Sequence, residues 1–246
     1  MVILESLQFN QYPEIKFGFS TKIGRNLKEP YYFNTSLSVH DNPDEVKKNR
    51  ELFFGEFGLD MGSVAIQKQV HGDNITIVTD PGMQGESDAM ITALPDLGLA
   101  VSSADCSTIF LYDPKQKVIA AIHSGWKSTV KRITEKTIIK IKQEFNSRGR
   151  DLLAYMGPSV SAKNYRVGPE VAEQFEHRYL LEHKGSLYLD VAKVNYDMLV
   201  ENGVRHEHIQ KSSICNFKYH NIFHSYRRNG EKSGRAFGLI VRREIK

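Results

Sequence analysis

A cysteine and a histidine lie at the two ends of a predicted apolar hairpin in the stretch ADCSTIFLYDPKQKVIAAIHSGWK, residues 104–127. Two strands, STIFLYD and KVIAAIH, are joined by a turn that contains an Asp-Pro pair. If Tyr112 faces Lys117, then Cys106 faces His123, with Cβ atoms roughly 4.5–5.5 Å apart on one side of the ribbon. That separation suits a metal ion held by a thiolate and an imidazole. It equally suits a Cys–His pair in which the thiol is a nucleophile.

His71 is the third candidate, because it also lies where a predicted strand breaks at a glycine, in QVHGDN. With Cys106 and His123 it would form a His₂Cys set with one open coordination position, which is the pattern of catalytic zinc sites. A water molecule bound there would have its pKa lowered to about 7 and serve as a hydroxide nucleophile. Simpler interpretations stay open: His71 as an ordinary loop residue, and the other two as a buried thiol beside a core imidazole.

The bulk properties predict a cytoplasmic protein whose residues 1–246 form one large domain or two closely packed halves. Hydrophobic residues make up 40% and charged residues 25% of the chain, as is ordinary for globular proteins. No apolar run approaches the roughly 20 residues of a membrane span, and no signal-peptide pattern is found, so no membrane partner is expected. The two cysteines are expected to be reduced thiols.

Positive charge is concentrated near the C-terminus. Residues 211–246 carry nine Lys or Arg and two Glu, a net charge of +7, against +4 for the whole chain. This segment is either a solvated surface or a site for an anion such as phosphate or a nucleotide. Nucleic acid is not expected as a partner, since the chain has no zinc-finger pattern, RNP-like pattern or helical basic stripe.

Helical and strand patterns are mixed along the chain without a strict β-α-β alternation, which favours the α+β class. Asp44 is predicted to cap a helix over about 45–57, and apolar spacing predicts a helix that ends near Phe145. Further helices are predicted over PEVAEQFEHRYL and AKVNYDMLVENG, the second closed by Gly203. Residues 22–43 read as a long loop and AFGLIVRREI as a final strand.

Several motifs resemble one known family. QVHGDN, SADCSTIFLYD, AIHSGWK, GPSV…YRVGPEV and FHSYRR…SGR occur in the order and spacing of the YfiH-type proteins, also called laccase-domain or polyphenol-oxidase proteins and regarded as purine nucleoside enzymes. The resemblance covers nearly the whole chain. It implies a single domain of α/β/β/α layers, in which mixed sheets are sandwiched by helices, with Zn²⁺ in a cleft on His71, Cys106 and His123.

The same resemblance implies phosphorolysis of adenosine, inosine, guanosine and S-methyl-5′-thioadenosine to free base and ribose 1-phosphate, and deamination of adenosine to inosine. Phosphorolysis needs cations that hold phosphate below the ribose C1′ atom. The candidates for this role are Arg50, Lys127, Arg227, Arg228 and Arg235. The predicted contacts to base or sugar are Asn34, Gln69 and Tyr226. Asp105, next to Cys106, is predicted to be catalytic by orienting a ligand imidazole or relaying a proton.

The sequence departs from the family pattern at a few positions. KIGRNLKEP replaces a common Gly-Gly loop, Thr108 replaces a frequent Pro, and Lys127 and Ser128 replace Arg and Gly. These changes affect loop shape and substrate preference rather than the ligands. Multicopper oxidation is not expected as the main function, since the chain has nine His, one H-x-H and no H-C-H. Cu²⁺ could still occupy a His₂Cys site, because it binds such ligands most tightly, so a copper-loaded, laccase-like polyphenol oxidase stays an alternative.

Two other functions compete with the zinc enzyme. One is a metal-free hydrolase or deamidase with Cys106 as nucleophile and His123 as base. The other is a non-catalytic partner protein with a vestigial site, against which the three intact ligand motifs argue. Purine nucleosides and phosphate are the expected small-molecule partners, and the chain is expected to be a monomer or a homodimer.

Overall fold

The computed structural model describes residues 1–25 and 28–244, and two mixed β-sheets form its centre. Among the described residues, the first sheet has six strands, in the spatial order Ile3–Leu4 (β1), Ile15–Ser20 (β2), Ala236–Arg242 (β15), Gly98–Ser103 (β7), Val64–Lys68 (β3) and Gly82–Glu86 (β5). The second described sheet also has six strands, in the order Ile209–Lys211 (β14), Leu153–Met156 (β10), Ser107–Asp113 (β8), Val118–Ser124 (β9), Ala89–Thr92 (β6) and Ile75–Ile77 (β4).

A small third sheet and several helices complete the described part of the chain. The third sheet consists of Arg166–Val167 (β11), Ser186–Leu189 (β13) and Leu180–His183 (β12). The α-helices are Pro43–Gly55 (α1), Trp126–Val130 (α2), Ile133–Phe145 (α3), Pro169–Ala172 (α4), Val191–Glu201 (α5) and Tyr226–Asn229 (α6). None of the described helices is long and apolar enough to cross a membrane.

The central strands β8 and β9 are buried along their whole length, because both faces of the second sheet are covered. Successive side chains of a strand point to opposite faces. Phe110 therefore packs with Phe17 of the first sheet in the core between the sheets. Its neighbour Ile109 packs with Ile138 of α3 in a second core on the outer face. This double burial explains why STIFLYD and KVIAAIH are nearly continuous apolar runs.

Helix α1 covers the outer face of the first sheet. Phe54 of α1 stacks on Phe237 of β15 with ring centroids 6.0 Å apart, and both side chains are fully buried. The order of layers is thus α1, first sheet, second sheet, and α3 with α5. The predicted α+β class and the α/β/β/α layering are confirmed.

The predicted register of the β8–β9 hairpin is wrong by two residues. Tyr112 faces Ile119, and Thr108 faces His123. The turn keeps its predicted length of four residues but lies one residue further along the chain, because Asp113 pairs with Val118. The Asp113 side chain accepts hydrogen bonds from the amides of residues 115 and 116, and Lys117 adopts a left-handed φ of 55°. A shift of two keeps every side chain on its predicted face, so the Cys106 and His123 positions still share one side.

Two predicted helix boundaries also change. Helix α1 begins at Pro43 instead of following an Asp44 cap, since the side chain of Asn42 accepts hydrogen bonds from the amides of residues 44 and 45. The helix predicted to end near Phe145 is split at Arg132, which has a left-handed φ of 59°. Both helices otherwise occupy the predicted region.

The predicted helix PEVAEQFEHRYL is mostly wrong. Only Pro169–Ala172 is α-helical, and a 3₁₀ turn over His177–Tyr179 leads into β12. The helix ending before Gly203 is confirmed as α5. The described residues from 22 to 42 of the predicted 22–43 loop contain neither helix nor strand, whereas Pro43 already belongs to α1; Asn26 and Leu27 lie outside the described residues.

A buried polar network joins the end of β9 to three helices. Asn195 of α5 is fully buried, and its Oδ1 atom accepts hydrogen bonds from the hydroxyls of Ser124 (2.9 Å) and Thr134 (2.6 Å). Its Nδ2 atom donates to Thr129 Oγ1 (3.2 Å) and to the Val191 carbonyl (2.9 Å). The network fixes the backbone directly after His123, where β9 ends and α2 begins.

We expect Asn195→Ala to lower the free energy of unfolding by about 2–4 kcal/mol, because it leaves several buried hydroxyls without partners. Urea unfolding monitored by circular dichroism measures the change. Lys193→Ala, on the exposed side of the same helix, is the control and should cost less than about 0.5 kcal/mol. Equal stabilities of the two variants would show that the network does not hold these elements together.

Candidate metal centre and cleft

His71 lies in the connection that runs from β3 of the first sheet to β4 of the second. Its backbone has a left-handed φ of 57°. The amides of Val70, His71 and Gly72 all donate hydrogen bonds to the Asp88 carboxylate, at 3.1, 3.1 and 2.7 Å. One fully buried carboxylate therefore folds the loop that presents His71.

The same carboxylate orients the second histidine. Asp88 Oδ1 lies 2.8 Å from His123 Nδ1, and the Asp88 carbonyl accepts a hydrogen bond from the His123 amide at 2.8 Å. An ionised carboxylate only accepts hydrogen bonds, so the proton of the imidazole belongs on Nδ1. Nε2 is left with its lone pair available to a metal ion or to a thiol.

Cys106 is presented by a turn directly before β8. Asp105 has a φ of 96°, in the left-handed range that non-glycine residues rarely adopt. The turn is held by hydrogen bonds from the Ser103 hydroxyl to the Cys106 carbonyl (2.7 Å) and from the Val160 amide to the Asp105 carbonyl (2.9 Å). The strained conformation aims the thiol toward the two imidazoles.

The three side chains meet in one cluster. Cys106 Sγ is 3.8 Å from His71 Nε2, and one ligand atom from each of His71, Cys106 and His123 lies within 4.8 Å of the others. Metal–ligand bonds of about 2.0–2.3 Å in a tetrahedral zinc site place donor atoms roughly 3.3–3.6 Å apart. The donor types and separations therefore fit a zinc ion with small side-chain adjustments.

The charges within the cluster support each other in the metal-free protein. Burial by itself raises the pKa of Cys106, but the charge of His123 and hydrogen bonds from both imidazoles outweigh it and lower the pKa to about 6. Burial lowers the pKa of His123, but the Cys106 thiolate and Asp88 raise it to about 9. For Asp88, burial is outweighed by hydrogen bonds from His123 and the loop amides, so its pKa is lowered. The protein thus stabilises the thiolate, which is the form that binds metal.

Gly125 makes the close packing of the cluster possible. A Cβ atom at this position would lie 2.7 Å from His71 Cδ2 and 3.1 Å from Cys106 Sγ. Its φ of −75° is accessible to any residue, so only space requires glycine here. The glycine in HSGWK is therefore part of the ligand cradle.

The cluster opens into a cleft of about 390 Å³. His71 and Cys106 line the cleft, whereas His123 is 3% exposed and lies behind them. Aromatic and apolar side chains form most of the remaining wall: Val70, Trp126, Val160, Tyr165, Val191 and Tyr226. A cleft with a few polar groups among aromatic faces suits a flat heterocyclic ligand.

Four of the predicted site residues join the cluster in this cleft. Asp105, Lys127, Tyr226 and Arg227 all line it. Lys127 and Arg227 form no salt bridge with a described carboxylate, and each cation lies near an aromatic ring, Trp126 at 5.6 Å and Tyr165 at 5.2 Å respectively. These two residues are the accessible cations of the cleft.

Other predicted contacts are used to build the fold. Asn34 is fully buried. Its Nδ2 atom donates hydrogen bonds to the Ser36 carbonyl and the Asp41 carboxylate, and its Oδ1 atom accepts one from the Arg235 amide. Arg50, 7% exposed, donates to the Thr35 carbonyl at 2.7 Å. These side chains are absent from the cleft wall, because the loop before α1 folds over them.

Gln69 likewise stays outside the cleft wall. Its side chain exchanges hydrogen bonds with the backbone of Ser102, at 2.7 Å from the Ser102 amide and 2.9 Å to its carbonyl. This pairing ties the chain directly after β3 to β7. The described contacts of Gln69 are therefore those of a sheet residue, and its contact to substrate stays a prediction.

The two remaining arginines hold backbone carbonyls. Arg228 donates to the carbonyls of residues 216, 217 and 223, at 2.8–3.0 Å. Arg235 donates to those of residues 233 and 234, and burial lowers its pKa while the charges of Cys106 and Asp105 raise it. Neither side chain lines the cleft, although both add positive potential near it.

We predicted that Asp105 orients a ligand imidazole or relays a proton; its described hydrogen bonds go to no imidazole, and the proton relay stays a prediction. Its Oδ2 atom accepts hydrogen bonds from the Ser225 hydroxyl (2.9 Å) and the Arg227 amide (2.7 Å), so it positions the FHSYRR segment against the cleft. Its Oδ1 atom is buried without a hydrogen-bond partner among the described residues. The orienting role belongs to Asp88, which sequence reasoning missed. The available signal was the acid placed directly before the apolar strand AMIT, in GESDAMIT.

The chain is similar to known proteins over nearly its whole length. A sequence profile of the family described as multi-copper polyphenol oxidoreductase laccase matches residues 16–243. The chain is 30% identical to the purine nucleoside phosphorylase of Bacteroides thetaiotaomicron, covering 98% of this chain and 96% of that protein. It is 28% identical to adenosine deaminase RL5 of an unknown prokaryotic organism, covering 99% and 100% of the two chains.

The fold has a close match among solved structures. The crystal structure of the hypothetical protein YfiH of Bacillus licheniformis superposes with a TM-score of 0.92 at 28% sequence identity. The match covers 98% of this chain and 96% of the other. The likeness therefore includes both sheets and the elements that carry the cluster.

We expect Asp88→Asn to weaken zinc binding by about 10–100-fold, because the amide no longer fixes the His123 proton or receives the loop amides equally well. Competition with a chromogenic chelator measures the affinity. Asp80→Asn, an exposed loop carboxylate, is the control and should leave affinity unchanged. Wild-type affinity in Asp88→Asn would contradict the orienting role.

We expect Gly125→Ala to reduce zinc affinity by at least about tenfold, because the added methyl group displaces His71 or the thiol. The same chelator assay applies. Gly55→Ala is the matched control, since a Cβ there meets no atom within 4 Å. Equal affinities for the two alanine variants would show that the cradle has spare room.

Proposed function

The chain belongs to the multi-copper polyphenol oxidoreductase laccase family, as its YfiH-type motifs indicated, and we propose that it is a metal-dependent purine nucleoside phosphorylase and adenosine deaminase. The observation that carries the proposal is the His71–Cys106–His123 cluster, open on one side to an aromatic cleft with accessible cations. The relatives named purine nucleoside phosphorylase and adenosine deaminase support the substrate class.

Zn²⁺ is the proposed metal, held by His71, Cys106 and His123, and Cu²⁺ fits the same nitrogen and sulfur donors. When bound, the metal supplies Lewis-acid polarisation and lowers the pKa of a water molecule. Asp88 keeps the His123 proton on Nδ1 and holds His71 in place. The chain thus presents preorganised ligands on the inner wall of the cleft.

Fewer residues are proposed to contact phosphate than the sequence analysis named. Lys127 and Arg227 line the cleft and have no described carboxylate partner, so they are free to bind an oxyanion. Arg227 is the better placed, because Asp105 fixes its amide at 2.7 Å. Arg228 and Arg235 contribute positive potential from behind the wall, whereas Arg50 packs over Phe237 on the outer face of the first sheet.

Aromatic side chains are proposed to bind the purine. Trp126, Tyr165 and Tyr226 offer ring faces in the cleft, and base–aromatic stacking contributes about 1–3 kcal/mol per base. In phosphorolysis a phosphate oxygen forms a bond to C1′, the C1′–N9 bond breaks, and its electron pair and a proton go to the purine. Binding by Arg227 and Lys127 places the phosphate, and stacking places the base.

The proposed substrates are adenosine, inosine, guanosine and S-methyl-5′-thioadenosine, with hydrolytic deamination of adenosine to inosine as a second reaction. Transferase and hydrolase chemistry would then share one cleft. The single domain over residues 1–246, the monomer or homodimer, the cytoplasmic location and the absence of nucleic-acid and membrane partners stay predictions.

A metal-free Cys–His hydrolase is the second candidate. The observation that favours it is the Cys106 thiol, which lines the cleft and whose pKa, against the effect of burial, is lowered to about 6 by the charge and hydrogen bond of His123. In that case Cys106 would attack the substrate and His123 would accept the proton. His71 would then be less important than in a metal enzyme.

We expect Cys106→Ala to lose zinc and phosphate-dependent hypoxanthine release from inosine together, with activity falling by at least about 100-fold. Elemental analysis and a coupled absorbance assay measure the two quantities. Cys215→Ser, at the other free thiol, is the control and should retain both. Full activity in a metal-depleted Cys106→Ala variant would overturn the proposed centre.

We expect His71→Ala to lose metal and activity to the same extent as Cys106→Ala, because a three-ligand site cannot hold zinc tightly with two ligands. Zinc content and initial rates of adenosine deamination are compared in the two variants. A His71→Ala protein that keeps activity and still depends on Cys106 would favour the thiol hydrolase.

A further inference from the structure

A second groove adjoins the cleft, and Arg227 lines both. We call this space, of about 600 Å³, the arginine groove; its walls include Arg166, Arg227, Phe217, Gly168 and Gly185. It runs beside the small third sheet, since Arg166 belongs to β11 and faces Tyr188 of β13. The mechanism proposed above uses no residue of this groove other than Arg227.

Arg227 is held at the boundary between the two spaces. Its amide donates to Asp105 Oδ2 at 2.7 Å, and its guanidinium carbon lies 5.2 Å from the centroid of the Tyr165 ring. Tyr165 itself lines the cleft. The stacked guanidinium is therefore preorganised to receive groups from the cleft side and from the groove side.

The groove carries unpaired positive charge. Neither Arg166 nor Arg227 forms a salt bridge with a carboxylate of the described residues, and the groove wall contains no acidic residue. A neighbouring carboxylate is that of Glu170, which occupies the space where a Cβ atom on Gly168 would lie. Two guanidinium groups and one neighbouring carboxylate leave the groove positive, which suits an anionic group.

We propose that the arginine groove binds a phosphate group attached to the 5′ carbon of a purine nucleoside, so that nucleoside 5′-monophosphates are a further substrate class of the same cleft. This inference rests on the proposed function. Reaction occurs at C1′, so the 5′ end is the part of the nucleoside that can leave the cleft. Inorganic phosphate would form the bond to C1′ as the C1′–N9 bond breaks, giving free base and ribose 1,5-bisphosphate.

The test compares inosine with inosine 5′-monophosphate in the zinc-loaded full chain. For wild type, we expect KM for the monophosphate to be no higher than KM for inosine. Arg166→Ala should raise KM for the monophosphate by about tenfold and leave KM for inosine within about twofold. Arg205→Ala, an exposed arginine outside both spaces, is the matched control and should change neither.

Two results would overturn the inference. One is a wild-type KM for the monophosphate that is far above that for inosine. The other is an Arg166→Ala variant whose main change is a higher KM for inorganic phosphate, which would assign the groove to the co-substrate. If inosine is not cleaved at all, the proposed function fails separately. Calorimetric binding of inosine 5′-monophosphate that weakens in Arg166→Ala would then still support the groove.

Discussion

The geometry of the candidate site depends on the hydrogen bonds that the buried Asp88 carboxylate accepts. Asp88 is inaccessible to solvent, and an ionised carboxylate in that position needs several hydrogen bonds. It receives them from three amides of the His71 loop and from the His123 ring. The loop comes from the first sheet and His123 from the second, so the same interaction that solvates the charge also joins the two sheets at the cleft and sets the spacing of the ligands.

Arginine side chains divide into two groups according to what surrounds them. Arg228 donates to three backbone carbonyls, and Arg235 to two, so their donors shape the loops around the cleft. The Arg227 guanidinium lies beside an aromatic ring and forms no salt bridge with a described carboxylate, and its backbone is fixed through Asp105. Identical residue types within nine positions therefore have different tasks. This division concentrates the available charge at the mouth of the cleft, where a diffusing phosphate can reach it.

The sequence predicted correctly those features that depend on the two-residue repeat of strand side chains or on the types of metal-binding residue. Cys106 and His123 were placed on one face, and a register error of two residues did not change that, because strand side chains repeat every two. The family motifs and the layered fold were also recognised. The roles of Asn34 and Asp88 were not, because they depend on which distant backbone groups each side chain meets. The acid directly before AMIT marks Asp88 as a candidate, but the partners of both side chains are brought together by the tertiary fold and have no local pattern in the sequence.

The most direct test of the central claim is a metal titration of chelator-treated protein. Zinc is added stepwise while hypoxanthine release from inosine is followed with and without phosphate. The account predicts activity that rises with added zinc, reaches a plateau near about one ion per chain, and requires phosphate throughout. Full activity before any zinc is added, or hypoxanthine release that does not require phosphate, would contradict it.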